Sequence, residues 1–268
     1  MIRKPYVAGQ FYPSSRDRLR ETIAALVDPA ASPQKAIALV APHAGYVYSG
    51  PVAGAVFCSV AIPGTCVILG PSHRGIDSLF AIQLRGSWLT PLGESRVDEA
   101  LASLIAAASR LVEENDEAQR AEHSLEVELP FIQYLRPDVA IVPLVVAPEA
   151  SYADLETLGR ALAEAIRKDG REILIVASSD MSHYVSQKTA EKKDMAAIRK
   201  ILDLDPAGLF ETVTSERISM CGFQPTTAAL AAARALGASK AELIRYQTSG
   251  DASGDYTQVV GYAGIRIS

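Results

Sequence analysis

Short continuous apolar runs alternate along this chain with longer segments whose apolar residues recur every three or four positions. The first kind reads as buried strand, the second as amphipathic helix. Runs at 36–41, 66–70, 140–146 and 172–177 are the clearest strands, with further candidates at 80–84, 241–247 and 257–267. Leu19, Ile23, Leu26 and Val27 mark a first helix, which Pro29 and Pro33 end. Val52, Val56 and Val60 mark a helix over 51–60, entered near Pro51. Leu101, Leu104, Ile105 and Leu111 mark another over 97–112. Residues 88–93 and the acidic stretch 113–122 read as loops. Leu125, Leu129 and Ile132 predict a helix opened by His123 and kinked at Pro130. Ser151 and Asp154 resemble a capping box ahead of Leu155, Leu158, Leu162 and Ile166. Further helices are expected at 188–203, 206–215 and 222–235, with a turn at 250–255. Strands alternating with helices throughout predict an α/β fold with helices on both faces of a sheet. Neither a linker-like shift in composition nor an internal repeat divides the chain, so a single domain over 1–268 is expected.

Composition narrows the function classes. At 49% hydrophobic and 21% charged, the chain reads as globular, and its net charge of −5 gives no footprint for nucleic acid. No Lys/Arg block suits an anionic membrane surface. The longest apolar runs fall short of the ~18 residues a membrane span requires. Met1 to Tyr6 lacks the apolar core of a signal peptide, and three cysteines make no disulfide framework. A cytoplasmic protein in a reducing compartment is expected.

The candidate chemistry lies where the strands end. The run 36–41 leads into Pro42-His43-Ala44-Gly45, the run 66–70 into Pro71-Ser72-His73, and the run 172–177 into Ser178-Ser179-Asp180-Met181-Ser182-His183. Ligands sit at the carboxyl ends of strands in open α/β sheets. The chain has only 4 histidines; the remaining one is His123, beside Glu122. A lone histidine after a strand is more often structural, but three placed alike suggest shared use as metal ligands. Cys221 precedes the expected helix at 222–235, where a helix N-terminus favours thiolate. Its alternative is a packed core thiol, the reading given to Cys58 and Cys66. Asp180 reads as ligand, acid/base or helix cap, and Glu122 as proton relay or solvated surface charge, the latter slightly favoured.

Together these residues resemble the Memo family (mediator of ErbB2-driven cell motility), component B of the AmmeMemoRadiSam system in prokaryotes. The resemblance is carried by Ala8-Gly9-Gln10-Phe11-Tyr12-Pro13, Pro42-His43-Ala44-Gly45-Tyr46, Leu69-Gly70-Pro71-Ser72-His73, Glu122-His123-Ser124-Leu125-Glu126, Ser178-Ser179-Asp180-Met181-Ser182-His183 and Cys221-Gly222. It implies a three-layer sandwich around a central mixed sheet, similar to the class III extradiol dioxygenases, which hold non-haem iron(II) with two histidines and a glutamate. Matched to the Memo pattern, His43, His73 and Cys221 would be the metal ligands. His183, His123 and Asp180 would line the same pocket as catalytic groups. A thiol then stands where the dioxygenases place a carboxylate, and a thiolate suits copper(I) or zinc. The resemblance thus implies a metal-dependent redox enzyme acting on a small molecule with iron(II) or copper. The alternatives are a non-catalytic metalloprotein binding a peptide or protein partner, and a zinc-dependent hydrolase. The system name also implies a radical S-adenosylmethionine partner.

Overall fold

The computed structural model describes residues 1–268. The chain begins with β1 (Ile2–Arg3), α1 (Arg16–Leu26), β2 (Ala38–Ala41), α2 (Tyr46–Cys58) and β3 (Thr65–Pro71). Short pieces follow: β4 (Phe80–Ile82), β5 (Ser87–Thr90), β6 (Gly93–Arg96), α3 (Glu99–Ala108), β7 (Val112–Glu114), α4 (Asp116–Arg120) and α5 (Leu129–Leu135). The second half holds β8 (Ala140–Val146), α6 (Tyr152–Asp169), β9 (Ile173–Ser178), β10 (His183–Val185), α7 (Gln187–Leu202), α8 (Pro206–Ser215), α9 (Phe223–Ala235), β11 (Ala241–Thr248), α10 (Gly250–Ser253) and β12 (Val259–Ile267).

Nine strands form the main sheet, with β12, β2, β9, β3, β8, β4 and β7 side by side. The four in the middle, β2, β9, β3 and β8, are parallel, while β12 and β4 flank them antiparallel. The central strands are buried on both faces, which is why they read as unbroken apolar runs. Alternate residues divide between two cores. Val40, Val67, Leu69, Val142, Leu144 and Ile175 pack with α3, α6, α7, α8 and α9. Leu39, Cys66, Ile68, Ile141, Leu174 and Val176 pack with α1, α2 and α5. Each fully buried Leu, Ile or Val contributes roughly 1.5–3 kcal/mol before entropy is subtracted. The result is the expected three-layer sandwich around a mixed sheet, a single α/β domain. No helix is long and apolar enough to cross a membrane.

The expected capping box is present: Ser151 Oγ accepts from Asp154 N–H, and Asp154 accepts from Ser151 N–H. Four local expectations are corrected. Helix α2 starts at Tyr46, before Pro51, because the Tyr46 N–H is taken by the Phe11 carbonyl at 2.8 Å. Residues 113–122 are no simple loop, since β7 extends the sheet beside β4 and Asn115 caps α4 through Ala118 N–H. Residues 124–128 are turns, and α5 begins at Leu129 with Pro130 in its first turn, where proline breaks nothing. A second sheet of β1, β5 and β6 occupies part of the expected 88–93 loop.

Candidate metal centre

Strand β9 is inserted between β2 and β3, although β2 and β3 follow one another in the chain. The parallel register places Ala41 opposite Ser178 and Leu69 opposite Ala177. Three carboxyl ends therefore lie adjacent, and the loops carrying His43, Asp180 and His73 share one edge. Two glycines let further segments approach. A Cβ on Gly70 would lie 2.4 Å from Ser124 Oγ, and one on Gly222 would lie 2.2 Å from the Ser178 carbonyl. The first close approach seats the turn after His123, whose Ser124 hydroxyl donates to the Pro71 carbonyl at 3.1 Å. The second seats Cys221 against β9.

His43, His73 and His123 converge, with one ligand atom from each lying within 4.8 Å of the others. Their ring centroids are 5.3 Å (His43–His73), 5.4 Å (His43–His123) and 4.4 Å (His73–His123) apart. Nitrogens bound tetrahedrally to one ion at about 2.0–2.1 Å lie roughly 3.3 Å apart, so an ion would draw the three rings closer together. Burial, with the other histidines, holds His43 well below its usual range. Burial likewise brings His123 down to about 4, against an opposing pull from Glu122. Both are therefore neutral at pH 7, the ligand form of imidazole. Phe11 packs on the His123 ring at 4.9 Å.

Glu122, weighed from the sequence as a solvated charge, is 1% exposed. It accepts from the His73 backbone N–H at 2.6 Å, from His73 Nδ1 at 2.9 Å and from Ser124 N–H at 2.9 Å. Burial pushes it up, but these bonds and the His73 charge prevail and bring it down to about 2. As a carboxylate it fixes the proton of His73 on Nδ1 and leaves Nε2 free. A buried clasp holds the segment in turn. Arg3 donates to Glu126 at 2.6 Å, to the Gln119 carbonyl at 2.6 Å and to the Glu122 carbonyl at 2.7 Å, and lies 4.1 Å from the Trp88 ring. Glu126 also accepts from Tyr12 Oη at 2.6 Å and from the Tyr6 and Val7 N–H groups.

Cys221 Sγ lies 3.3 Å from His43 Nε2 and accepts from Asp180 N–H at 3.3 Å. It is partly buried, whereas Cys58 and Cys66 are buried in the core. The expected thiolate is not supported by its surroundings: burial, then the Asp180 charge, pushes the thiol up. Helix α9 begins only at Phe223, with Gly222 as its cap, so its terminal amides do not offset these effects. Asp180 is buried and accepts from His43 N–H at 2.8 Å; burial raises it despite the opposing His183 charge. His183 directs Nδ1 at the Met181 carbonyl (2.8 Å) and the Ser219 carbonyl (2.9 Å), so Nδ1 carries the proton and Nε2 is free. A charge on His183 acts on both His43 and Asp180.

The structure thus brings His43, His73 and His123 together, sets Cys221 and Asp180 against His43, and leaves His183 close enough for its charge to act on His43 and Asp180. The sequence reading missed Arg3, Glu126 and Glu128. Carboxylates alternating with Leu125, Val127 and Leu129 were the available signal for the two glutamates, since acids in an apolar stretch are buried only with partners. Nothing local marks Arg3.

The chain is similar to known proteins over nearly its whole length. The family profile described as Memo-like protein matches residues 3–266. A MEMO1 family protein of Pyrobaculum aerophilum is 44% identical over 98% of this chain and 98% of its own. One from Methanopyrus kandleri is 40% identical over 99% of this chain and 98% of its own. Another, from Methanothermobacter thermautotrophicus, is 40% identical over 98% of this chain and 99% of its own. Among solved structures, an uncharacterized protein of Escherichia coli K12 shares the fold, with a TM-score of 0.52 and 16% identity over 84% of this chain and 98% of that one.

Proposed function

The chain belongs to the Memo-like family, and from that premise we propose that it is a mononuclear metalloprotein acting in redox chemistry on a small molecule. The observation that carries this reading is the convergence of three imidazoles within 4.8 Å, with a thiol 3.3 Å from one of them. His43 and His73 are the proposed ligands, with Cys221 as the third and His123 as the neighbouring imidazole. Nitrogen and sulfur donors of this kind suit iron(II) or copper first and zinc as the alternative. When bound, iron or copper would supply one-electron chemistry and zinc a Lewis acid.

The protein's own groups supply the rest. The Glu122 carboxylate orients His73, and the Asp180 carboxyl anchors the backbone of His43. His183, its proton fixed on Nδ1, presents Nε2 as the proposed acceptor for a substrate proton, with Asp180 and His123 as the further proposed catalytic groups. Phe11 packs on the His123 ring. Free cysteines support a reducing, cytoplasmic setting. The family resemblance adds a radical S-adenosylmethionine enzyme as a proposed partner.

A second reading, a metalloprotein that holds a peptide or protein partner without turnover, is favoured by exposed Val47, Tyr48 and Tyr184. It is also favoured by a groove of about 970 Å³ lined by Phe11, Tyr46 and Tyr48. The test begins with anaerobic purification without added metal, followed by elemental analysis and titration with iron(II), copper(I) and zinc(II). Stoichiometric iron or copper in wild type, lost in His43→Ala, His73→Ala and Cys221→Ser but kept in Cys58→Ser, is expected. Zinc alone favours hydrolysis. Wild-type affinity in Cys221→Ser removes the thiol from the ligand set. Turnover with a small-molecule panel separates the first reading from the second.

A further inference from the structure

Glu128 is fully buried, takes no part in the chemistry above, and leaves Oε2 without a partner. Its Oε1 lies 2.7 Å from Ser178 Oγ. The same hydroxyl is 2.7 Å from the Ser124 carbonyl and 2.8 Å from His43 Nδ1. A serine has one proton to give and lone pairs to accept with. The Ser124 carbonyl can only accept, so the Ser178 proton goes there. Both remaining neighbours must then donate: His43 through Nδ1–H, and Glu128 through a carboxylic acid O–H. An ionised Glu128 would compete with the Ser124 carbonyl for the single proton and leave one buried acceptor unpaired. Burial favours the neutral acid as well.

We infer that Ser178 and a protonated Glu128 form a positioning pair that holds His43 as its Nδ1–H tautomer, so that Nε2 alone faces the centre. Both act through His43 and touch neither substrate nor ion. The inference deepens the metal-centre reading and rests on His43 being a ligand there. Glu128 adds no negative charge to a site that already has the Glu122 carboxylate.

The test has two arms. Nitrogen-15 correlation spectra of the metal-free protein should show His43 protonated on Nδ1 in wild type and in Glu128→Gln. In zinc(II) competition against a chelator, Ser178→Ala should bind about 10–100-fold more weakly, the usual effect of losing an outer-shell partner. Glu128→Gln, a neutral donor in place of a neutral acid, should bind as wild type. An Nε2–H tautomer in metal-free wild type overturns the inference. So does a loss in Glu128→Gln equal to that in Ser178→Ala, which would make Glu128 a counter-charge. If wild type binds no metal, the metal reading fails, while the tautomer still decides the placement of the proton.

Discussion

His183 commits one ring nitrogen to two carbonyls and keeps the other free, beside a tyrosine, Tyr184, whose left-handed backbone (φ 56) is unusual for a residue with a side chain. A His183→Gln variant should retain its metal and melt as wild type, yet lose turnover by roughly 10²–10⁴-fold. A purely structural histidine would instead lower the melting temperature, with activity falling only as the folded fraction falls. At this scale His43, His73 and His183 were legible because each follows an apolar run, and strand ends are where sites form. Glu122 was not, because its partners come from position 73, across a turn that no local pattern announces. The burial of Cys221, which pushes its thiol up, was out of reach for a related reason. Proximity to a helix start is visible in sequence, whereas burial beside Asp180 is a tertiary fact.

Among elements, the central strands and the helices α6, α7, α8 and α9 match their expected ranges closely, because length and periodicity agree there. The short pieces β1, β5, β6, β7 and α4 were less legible, being too brief to show a period and held by partners distant in the chain. Strand β1 shows what such a fragment does. It carries Arg3 into the clasp with Glu126, a pair whose side chains are 1% and 0% exposed. Arg3→Met should destabilise the fold by about 3–5 kcal/mol, since it leaves a carboxylate and two carbonyls buried with fewer donors. Urea unfolding measures the loss. Metal affinity should fall with it, because the same guanidinium holds the Glu122 backbone. A loss below 1 kcal/mol would mean that water replaces Arg3 and that the clasp is dispensable.

For the whole molecule, the buried imidazoles set the response to acid. His123 titrates at about 4 in the folded chain, against its ordinary 6.5 once unfolded. Between those values the unfolded chain binds more protons, so stability is full above pH 6.5 and declines as pH falls toward 4. The His123 share is about 3 kcal/mol. Unfolding free energies of the metal-free protein, measured from pH 7.5 to 4, should show this slope, shallower in His123→Gln; equal slopes would place His123 in water. The arrangement of the sheet also dictates an order of events during synthesis. Strands β2 and β3 leave the ribosome early and in succession, but the slot between them belongs to β9, which emerges about a hundred residues later. Pairing β2 directly with β3 closes that slot and has to be undone. In the native sheet these two apolar segments stand two strand spacings apart, some 10 Å, a gap that stays unfilled until Ser178 arrives. Until then, the loops of His43 and His73 have no native spacing for a cation to find.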